Sequence, residues 1–265
     1  MLLLLCGLSL GLISGQADAG DFSLRITLWR FHSEADLARR NDGPQVARFE
    51  IEHGEAFVLD RSVTPPLLRF DGSPEIWILQ PQPAPRGDTI YRNDIGQPVL
   101  RATKLGGLTL YTAEAPDGAA AAFNGEAPSL RLPPFMSPAA LYDHVMQSGV
   151  RSLFATQKRI SFSTVDDATP QTASLIAESA IVTAEAITRI SRKVDGRTEL
   201  ARVSKVLLAR GRRPDAQLSG GSLTVTYAPS AGVGSWPSSE RIMQVIEAPA
   251  AWTAQAISAP AHPAH

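Results

Sequence analysis

The chain has 265 residues, with 25 lysines and arginines against 26 aspartates and glutamates, and a net charge of −1. A nearly neutral protein has no overall field to attract nucleic acid or an anionic membrane, so we expect no nucleic-acid partner. With 44% hydrophobic residues, the chain is long enough to bury one large core or two small ones.

Residues 1–19 have the pattern of a signal peptide. The apolar residues 2–13 precede Ala17-Asp18-Ala19, a tripeptide of the kind that signal peptidase cleaves. The run is shorter than the roughly 20 apolar residues of a membrane-spanning helix. No lysine or arginine precedes it, which leaves a buried strand as the alternative. We expect a periplasmic or secreted protein that begins at Gly20 and has no transmembrane segment after cleavage.

Cys6 is the only cysteine, and it lies inside the apolar run. The mature chain would therefore contain no thiol, which excludes structural disulfides, thiol nucleophiles and cysteine metal sites. His262 and His265 form a closely spaced pair near the end, but a metal site needs three or four fixed ligands. We predict neither a metal site nor a cofactor.

A linker is predicted over residues 20–45, followed by an antiparallel β part over residues 46–135. Period-two alternation predicts strand pairs within residues 47–59, 67–79 and 99–111. The prolines of residues 81–85 are predicted to lie outside the sheet. Residues 113–134, rich in alanine and glycine, are predicted to form a surface stretch.

A part that mixes helices and strands is predicted over residues 136–247. Ser137-Pro138 is typical of a helix start, and Leu141, Val145, Met146 and Leu153 fall on one face of a helix over residues 139–157. Strands are predicted at 160–165, 200–209 and 223–228, and a short helix at 238–246. Residues 248–265, rich in alanine and proline, are predicted to form a disordered tail.

Residues 172–194 allow two interpretations. An apolar seam, basic residues in the last turn and Gly196 beyond it favour a helix. Many β-branched residues and Asp195-Gly196 would also suit a hairpin. We favour the helix, and then Ile176, Ile187 and Ile190 should be buried while Glu178 and Glu185 stay in solvent.

These elements predict an α+β fold. An N-terminal antiparallel sheet is followed by a helix–strand–helix–strand–strand–helix part, and the two parts are expected to share one core.

Catalytic candidates are few, because the sequence contains no nucleophile elbow, zinc-binding helix motif or glycine-rich phosphate loop. Asp88 and Asp94 could supply a pair of carboxylates for acid–base chemistry, with His144 as a further base. The alternative is that both aspartates accept backbone hydrogen bonds in turns.

Two features suggest binding. Residues 189–213 carry nine basic and two acidic side chains, an excess that could attract an acidic partner. Pro237-Ser238-Ser239 is typical of a helix start, where free N–H groups can be capped or can bind an anion. The candidate binding residues are Arg202, Arg210, Arg212, Arg213, Ser238, Ser239 and Arg241.

Two segments of the chain resemble a known family. One is Gly-x-Pro-x-Leu-Arg-x-Thr-x-x-Gly-Gly-x-Thr over residues 96–109, and the other is Pro-Ser-Ser-Glu-Arg-Ile over residues 237–242. Together they resemble an uncharacterised family of exported bacterial proteins, a domain of unknown function. The resemblance implies export and a single module, and it implies nothing about catalysis.

From these observations we expect an exported, non-enzymatic binding module of the periplasm or envelope, whose basic surface contacts an acidic envelope component or protein. The alternative is an envelope hydrolase that uses Asp88 or Asp94 with a histidine or serine partner.

Overall fold

A computed structural model describes residues 44–249, except residues 53 and 167. The predicted signal peptide, residues 20–43 of the predicted linker and residues 250–265 of the predicted tail lie outside the described residues.

The N-terminal half forms the predicted antiparallel sheet, with nine strands in the order β4-β3-β2-β1-β9-β8-β7-β6-β5. The strands are β1 (Val46–Ile51), β2 (Ala56–Asp60), β3 (Leu67–Phe70), β4 (Trp77–Ile78), β5 (Gln80–Pro83), β6 (Thr89–Arg92), β7 (Pro98–Ala102), β8 (Leu108–Leu110) and β9 (Ala119–Glu126).

The two end strands of this sheet, β4 and β5, are neighbours in the sequence. Only Leu79 separates them, yet β4 pairs with β3 and β5 pairs with β6. One stretch of chain therefore joins both edges, and the sheet closes on itself. Its interior is filled by apolar side chains such as Phe57, Leu100 and Leu110.

Three strands of this sheet lie where the sequence predicts none. The surface stretch predicted over residues 113–134 contains β9, which pairs with both β1 and β8. Alanine and glycine have low strand propensity, but backbone hydrogen bonds to β1 on one side and β8 on the other hold this strand in the sheet. The prolines of β5 and the polar residues of β6 also enter the sheet, β5 as an end strand that pairs only with β6.

The C-terminal half contains four helices and a second, four-stranded sheet, and the fold is mixed α/β. The second sheet has the order β10-β11-β13-β12, with parallel β10–β11 and β11–β13 pairs. Its elements are α1 (Pro138–Thr156), β10 (Ser161–Thr164), α2 (Ala173–Ser191), α3 (Gly196–Ala201), β11 (Lys205–Arg210), β12 (Asp215–Ser219), β13 (Ser222–Tyr227) and α4 (Ser239–Glu247). Short 3-10 turns lie at Pro85–Gly87 and Pro229–Ala231.

The predicted order of this half is wrong at two places. Helix α3 occupies part of the strand predicted at residues 200–209, so β11 begins only at Lys205. Strand β12 was not predicted, although Gly220-Gly221, both with positive φ, makes the tight turn between β12 and β13.

The prediction of a helix over residues 172–194 is confirmed by α2, and the hairpin alternative is wrong. Ile176, Ile187 and Ile190 are buried, as predicted. Glu178 and Glu185 are also buried, at 4% and 8% exposure, so the prediction that they stay in solvent is wrong. The reason is that α2 packs against α1, α3, α4, β11 and β13, which enclose it on most sides.

Helix α1 begins as predicted, with Ser137 accepting a hydrogen bond from the Ala140 N–H. Its packed face differs from the prediction. Leu141, Ser148 and Ser152 are buried, whereas Met146 and Leu153 are exposed. Small side chains bring α1 close to α2, and larger apolar side chains are left outside.

Candidate functional site

The first turn of α4 is bound by two carboxylates from the N-terminal sheet. Ser238 caps the helix by accepting a hydrogen bond from the Arg241 N–H, which confirms the predicted helix start. The Ser238 N–H and Oγ both donate to Asp94, at 2.9 and 2.5 Å. The Ser238 N–H is one of the N–H groups at a helix start that could bind an external anion. Here the carboxylate of Asp94 accepts from it instead.

The second carboxylate is Glu75, which is 1% exposed. The Ser239 N–H donates to its Oε1 at 2.8 Å and the Ser239 Oγ donates to its Oε2 at 2.5 Å. Burial raises the pKa of Glu75 to about 7. Glu75 thus attaches the last helix to the segment before β4.

Glu178 of α2 is a second buried carboxyl group beside Glu75. Its Oε1 accepts a hydrogen bond from the Ile76 N–H at 3.3 Å. Burial, together with the neighbouring Glu75, raises the pKa of Glu178 to about 8. Asp60 provides a contrast: burial alone would raise its pKa, but donors from Ser62, Ser129 and Leu130 lower it.

Arg189 of α2 connects this buried group to α4. One guanidinium nitrogen donates to the Ser239 Oγ at 2.8 Å and the other to the Glu240 carboxylate at 2.5 Å. One turn earlier, Glu185 accepts from Arg151 of α1 at 2.9 Å. A network of charged and hydroxyl side chains therefore runs from α1 through α2 to α4.

A cleft of about 660 Å³ opens above this network, between one end of the closed sheet and helices α2 and α4. Its volume suits a small molecule. The sheet contributes the aromatic side chains of Phe70, Trp77 and Tyr111. Phe70 and Trp77 are in edge-to-face contact, with ring centroids 6.0 Å apart.

The charges that line the cleft are mainly acidic. The helices contribute Glu185, Arg189, Arg192 and Glu240, and the loops of the sheet contribute Glu55, Glu75 and Glu114. Among the described residues, neither Glu55 nor Glu114 forms an ion pair or hydrogen bond through its carboxylate. Burial and the nearby Glu114 raise the pKa of Glu55, whereas Arg189 lowers it.

The predicted acid–base candidates lie in separate places. The Asp88 carboxylate forms an ion pair with Arg101 at 2.5 Å and accepts from the Lys104 N–H, and Arg101 lowers the pKa of Asp88. Asp94 binds Ser238 at the start of α4. His144 lies on α1, which packs against α2 and β10. Within residues 44–249 as described, no hydrogen bond or ion pair joins any two of the three.

The predicted binding arginines divide into two sets. Arg202 donates to the Ala248 carbonyl, and Arg241 forms an ion pair with Asp215. Arg210, Arg212 and Arg213 lie at the far end of β11 from Arg202, roughly 16 Å away along the strand. Their side chains are exposed, and none forms an ion pair with a described residue.

The sequence patterns did not single out Glu75, Glu178, Glu185 and Arg189 as site residues. A usable signal was present, because α2 has alanine and isoleucine on every face and only three charged residues. A helix without a polar face is buried, so its charged residues must find partners inside the protein.

A model of the family described as "Domain of unknown function (DUF4908)" matches residues 24–246. The chain belongs to this family. Membership of DUF4908 confirms the predicted relationship to an uncharacterised domain family. In this DUF4908 chain the start of the first of these segments lies near the second, because Asp94, two positions before Gly96, binds Ser238.

Neither the curated proteins nor the solved structures contain a match to this DUF4908 chain. In the part of the chain that the structure describes, no helix combines the length and apolar character that crossing a membrane requires.

Proposed function

We propose that the protein is exported and acts as a non-enzymatic binding module, and that its ligand occupies the cleft between the closed sheet and α2. The observation that carries the proposal is the cleft itself. It combines the volume of a small-molecule site with aromatic and acidic side chains from the sheet and its loops and charged side chains from the helices.

Its lining favours a ligand that bears an ammonium group. Five glutamates and two arginines line the cleft, and Arg189 already pairs with Glu240. Glu55 and Glu114 repel each other, since Glu114 raises the pKa of Glu55. A cation between them would relieve that repulsion, and Trp77 offers an aromatic surface for a cation–π contact.

Export is supported by the sequence pattern of residues 1–19 and by the extent of the family match. The match begins at residue 24, four positions after Gly20. The part shared with the family thus starts just beyond the predicted cleavage site.

An acidic envelope component is the second partner we propose. It is supported by the three exposed arginines of residues 210–213, which have no ion-pair partner among the described residues. This surface is separate from the cleft, so the two kinds of binding can be tested independently.

The hydrolase alternative ranks below binding. Asp88 and Asp94 each accept hydrogen bonds from within the chain, and His144 contacts neither of them in the described part of the chain. Glu75 lines the cleft with a pKa near 7, but Ser239 binds both of its oxygens and the side chain is 1% exposed. Its role in the described structure is to hold α4.

Calorimetric titration of the chain with small amines tests the cleft. The probes are putrescine, lysine and choline, with glutamate as an anionic control. We expect at least one amine to bind, and the double substitution Glu55→Gln with Glu114→Gln to raise its Kd at least about tenfold, or about 1.4 kcal/mol. Asp117→Asn changes an exposed carboxylate outside the cleft and should leave binding unchanged. Binding of none of the probes, or equal affinity in the double variant, would contradict the proposal.

A further inference from the structure

Helix α1 presents an apolar face to solvent. Tyr142, Met146, Val150 and Phe154 follow one another at four-residue intervals and are 64%, 48%, 45% and 73% exposed. Leu153 lies beside them and is also exposed. At 100° per residue these five side chains, which we call the α1 stripe, cover roughly a third of the helix circumference.

The opposite face of α1 is the packed one, and its buried side chains are Leu141 and two serines. Ser148 and Ser152 are buried, and their hydroxyls donate to backbone carbonyls one turn earlier. A helix that buries serines and exposes tyrosine, methionine and phenylalanine reverses the usual distribution. Large contiguous apolar surface on a protein marks an interaction site.

The order of side chains along the stripe points to its occupant. Four-residue spacing makes Tyr142, Met146, Val150 and Phe154 a continuous ridge, and ridges of this kind pack between those of a second helix. The ridge is nearly symmetric about its midpoint, with an aromatic residue at each end and an aliphatic side chain on each side of the centre. A copy turned by 180° would place Tyr142 against Phe154 and Met146 against Val150, which is the self-complementarity that a two-fold interface requires.

The area of the stripe is sufficient for such an interface. A fully exposed aromatic side chain presents roughly 200 Å². The five side chains of the stripe are only partly exposed, and together they offer on the order of 500 Å² in each copy. Two copies would bury about 1,000 Å², the lower bound for a specific protein–protein contact.

We propose that the protein forms a homodimer through an antiparallel contact between the α1 helices of two copies. Helix α1 contributes no residue to the lining of the cleft, so this contact does not depend on the proposed function of the cleft.

Sedimentation equilibrium of the chain that begins at Gly20 tests the dimer, with Met146→Glu plus Val150→Glu as the disrupting variant. We expect the unmodified chain to be dimeric at about 100 µM and the variant to be monomeric, with Kd raised at least about 100-fold. Because both side chains are exposed in the single chain, far-ultraviolet circular dichroism of the variant should be unchanged. Gln217→Glu adds a charge at an exposed position of β12 and should leave the dimer intact.

Disulfide formation tests the antiparallel arrangement, since the chain from Gly20 contains no cysteine. A mixture of Tyr142→Cys and Phe154→Cys chains should form cross-linked pairs faster than either chain alone.

A monomer at about 100 µM would overturn the proposal. A dimer that survives both glutamates, or faster cross-linking of Tyr142→Cys with itself, would also overturn it. Shielding of the stripe by the chain's own residues 20–43 or by a lipid surface would appear as a monomer.

Discussion

Glu75 and Ser239 lie 164 positions apart in the chain, and both polar groups of the serine donate to one buried carboxyl group. Through this contact the segment before β4 holds the first turn of α4. Arg189 donates to the same hydroxyl from α2, so three elements distant in sequence meet at one side chain.

The Ser239→Ala variant should lose about 1–3 kcal/mol of unfolding free energy, because it removes a donor from a buried carboxyl group and an acceptor from Arg189. Urea denaturation measures the change. Ser230→Ala, at an exposed position, is the matched control and should change stability by less than about 0.5 kcal/mol. Equal stability of the two variants would show that the contact contributes little.

Stability should fall as the pH rises, which is the reverse of the usual carboxylate effect. The folded-state pKa values of Glu75 and Glu178 are about 7 and about 8, above the ordinary glutamate value of 4.5. Between pH 4.5 and these values the folded chain binds more protons than the unfolded chain. The stabilisation is therefore complete below pH 4.5 and is lost as the pH rises through 7 to 8.

Urea denaturation at pH 5 and pH 8 should show a loss on the order of 6 kcal/mol. Glu178→Gln should make this decline shallower, whereas Asp117→Asn should leave it unchanged. A decline of the same slope in Glu178→Gln would assign the effect to other groups.

Replacing each of two helical glycines with alanine should change the stability of the protein in opposite directions. A Cβ at Gly196 would lie 1.8 Å from the Ile190 carbonyl oxygen, whereas a Cβ at Gly149 would make an ordinary contact, 3.8 Å from Phe162. Gly196→Ala should therefore destabilise the protein by more than about 2 kcal/mol. Gly149→Ala should stabilise it by up to about 1 kcal/mol, because alanine favours a helix interior. Thermal denaturation of both variants, with a lower Tm for the first and a higher Tm for the second, checks the pair.

The arginines at the end of β11 should account for any binding to acidic polymers. Replacing Arg210, Arg212 and Arg213 with glutamine should abolish retention on immobilised polyglutamate, and retention of the unmodified chain should fall steeply with salt. Arg202→Gln, at the other end of the strand, should leave retention unchanged. Salt-independent retention would contradict an electrostatic contact.

If the protein is exported with cleavage after Ala19, as we propose, its N-terminus is defined. Mass spectrometry of the protein from its native host should find a chain that begins at Gly20. An intact Met1 on the mature protein would contradict cleavage.

The antiparallel sheet and α2 could be predicted because each has its own local signal: alternation for the strands, and an apolar seam with a basic last turn for the helix. The cap at Ser238 was equally visible. Strand β9 was not, since an alanine-rich strand has no alternation and is held by the partners on either side. Pairing between strands that are distant in the sequence cannot be predicted from a short segment of that sequence.

Most residues of the candidate site could not be predicted from the sequence, for a related reason. Asp88 and Asp94 attract attention because they lie in a polar stretch, but donors from elsewhere in the chain bind both carboxylates. Glu75, Glu178 and Arg189 lie among apolar residues, and their importance depends on which distant elements enclose them.

The position of α4 affects the order in which the molecule can fold. Ile242, Met243 and Ile246 complete the core that includes Val58 and Leu67, nearly two hundred positions earlier. Contacts over such separations form slowly, because a long loop must close before they stabilise anything. During synthesis this part of the core stays open until residues 242–246 have been made. A delay of that kind would keep the chain extended during the export that we propose.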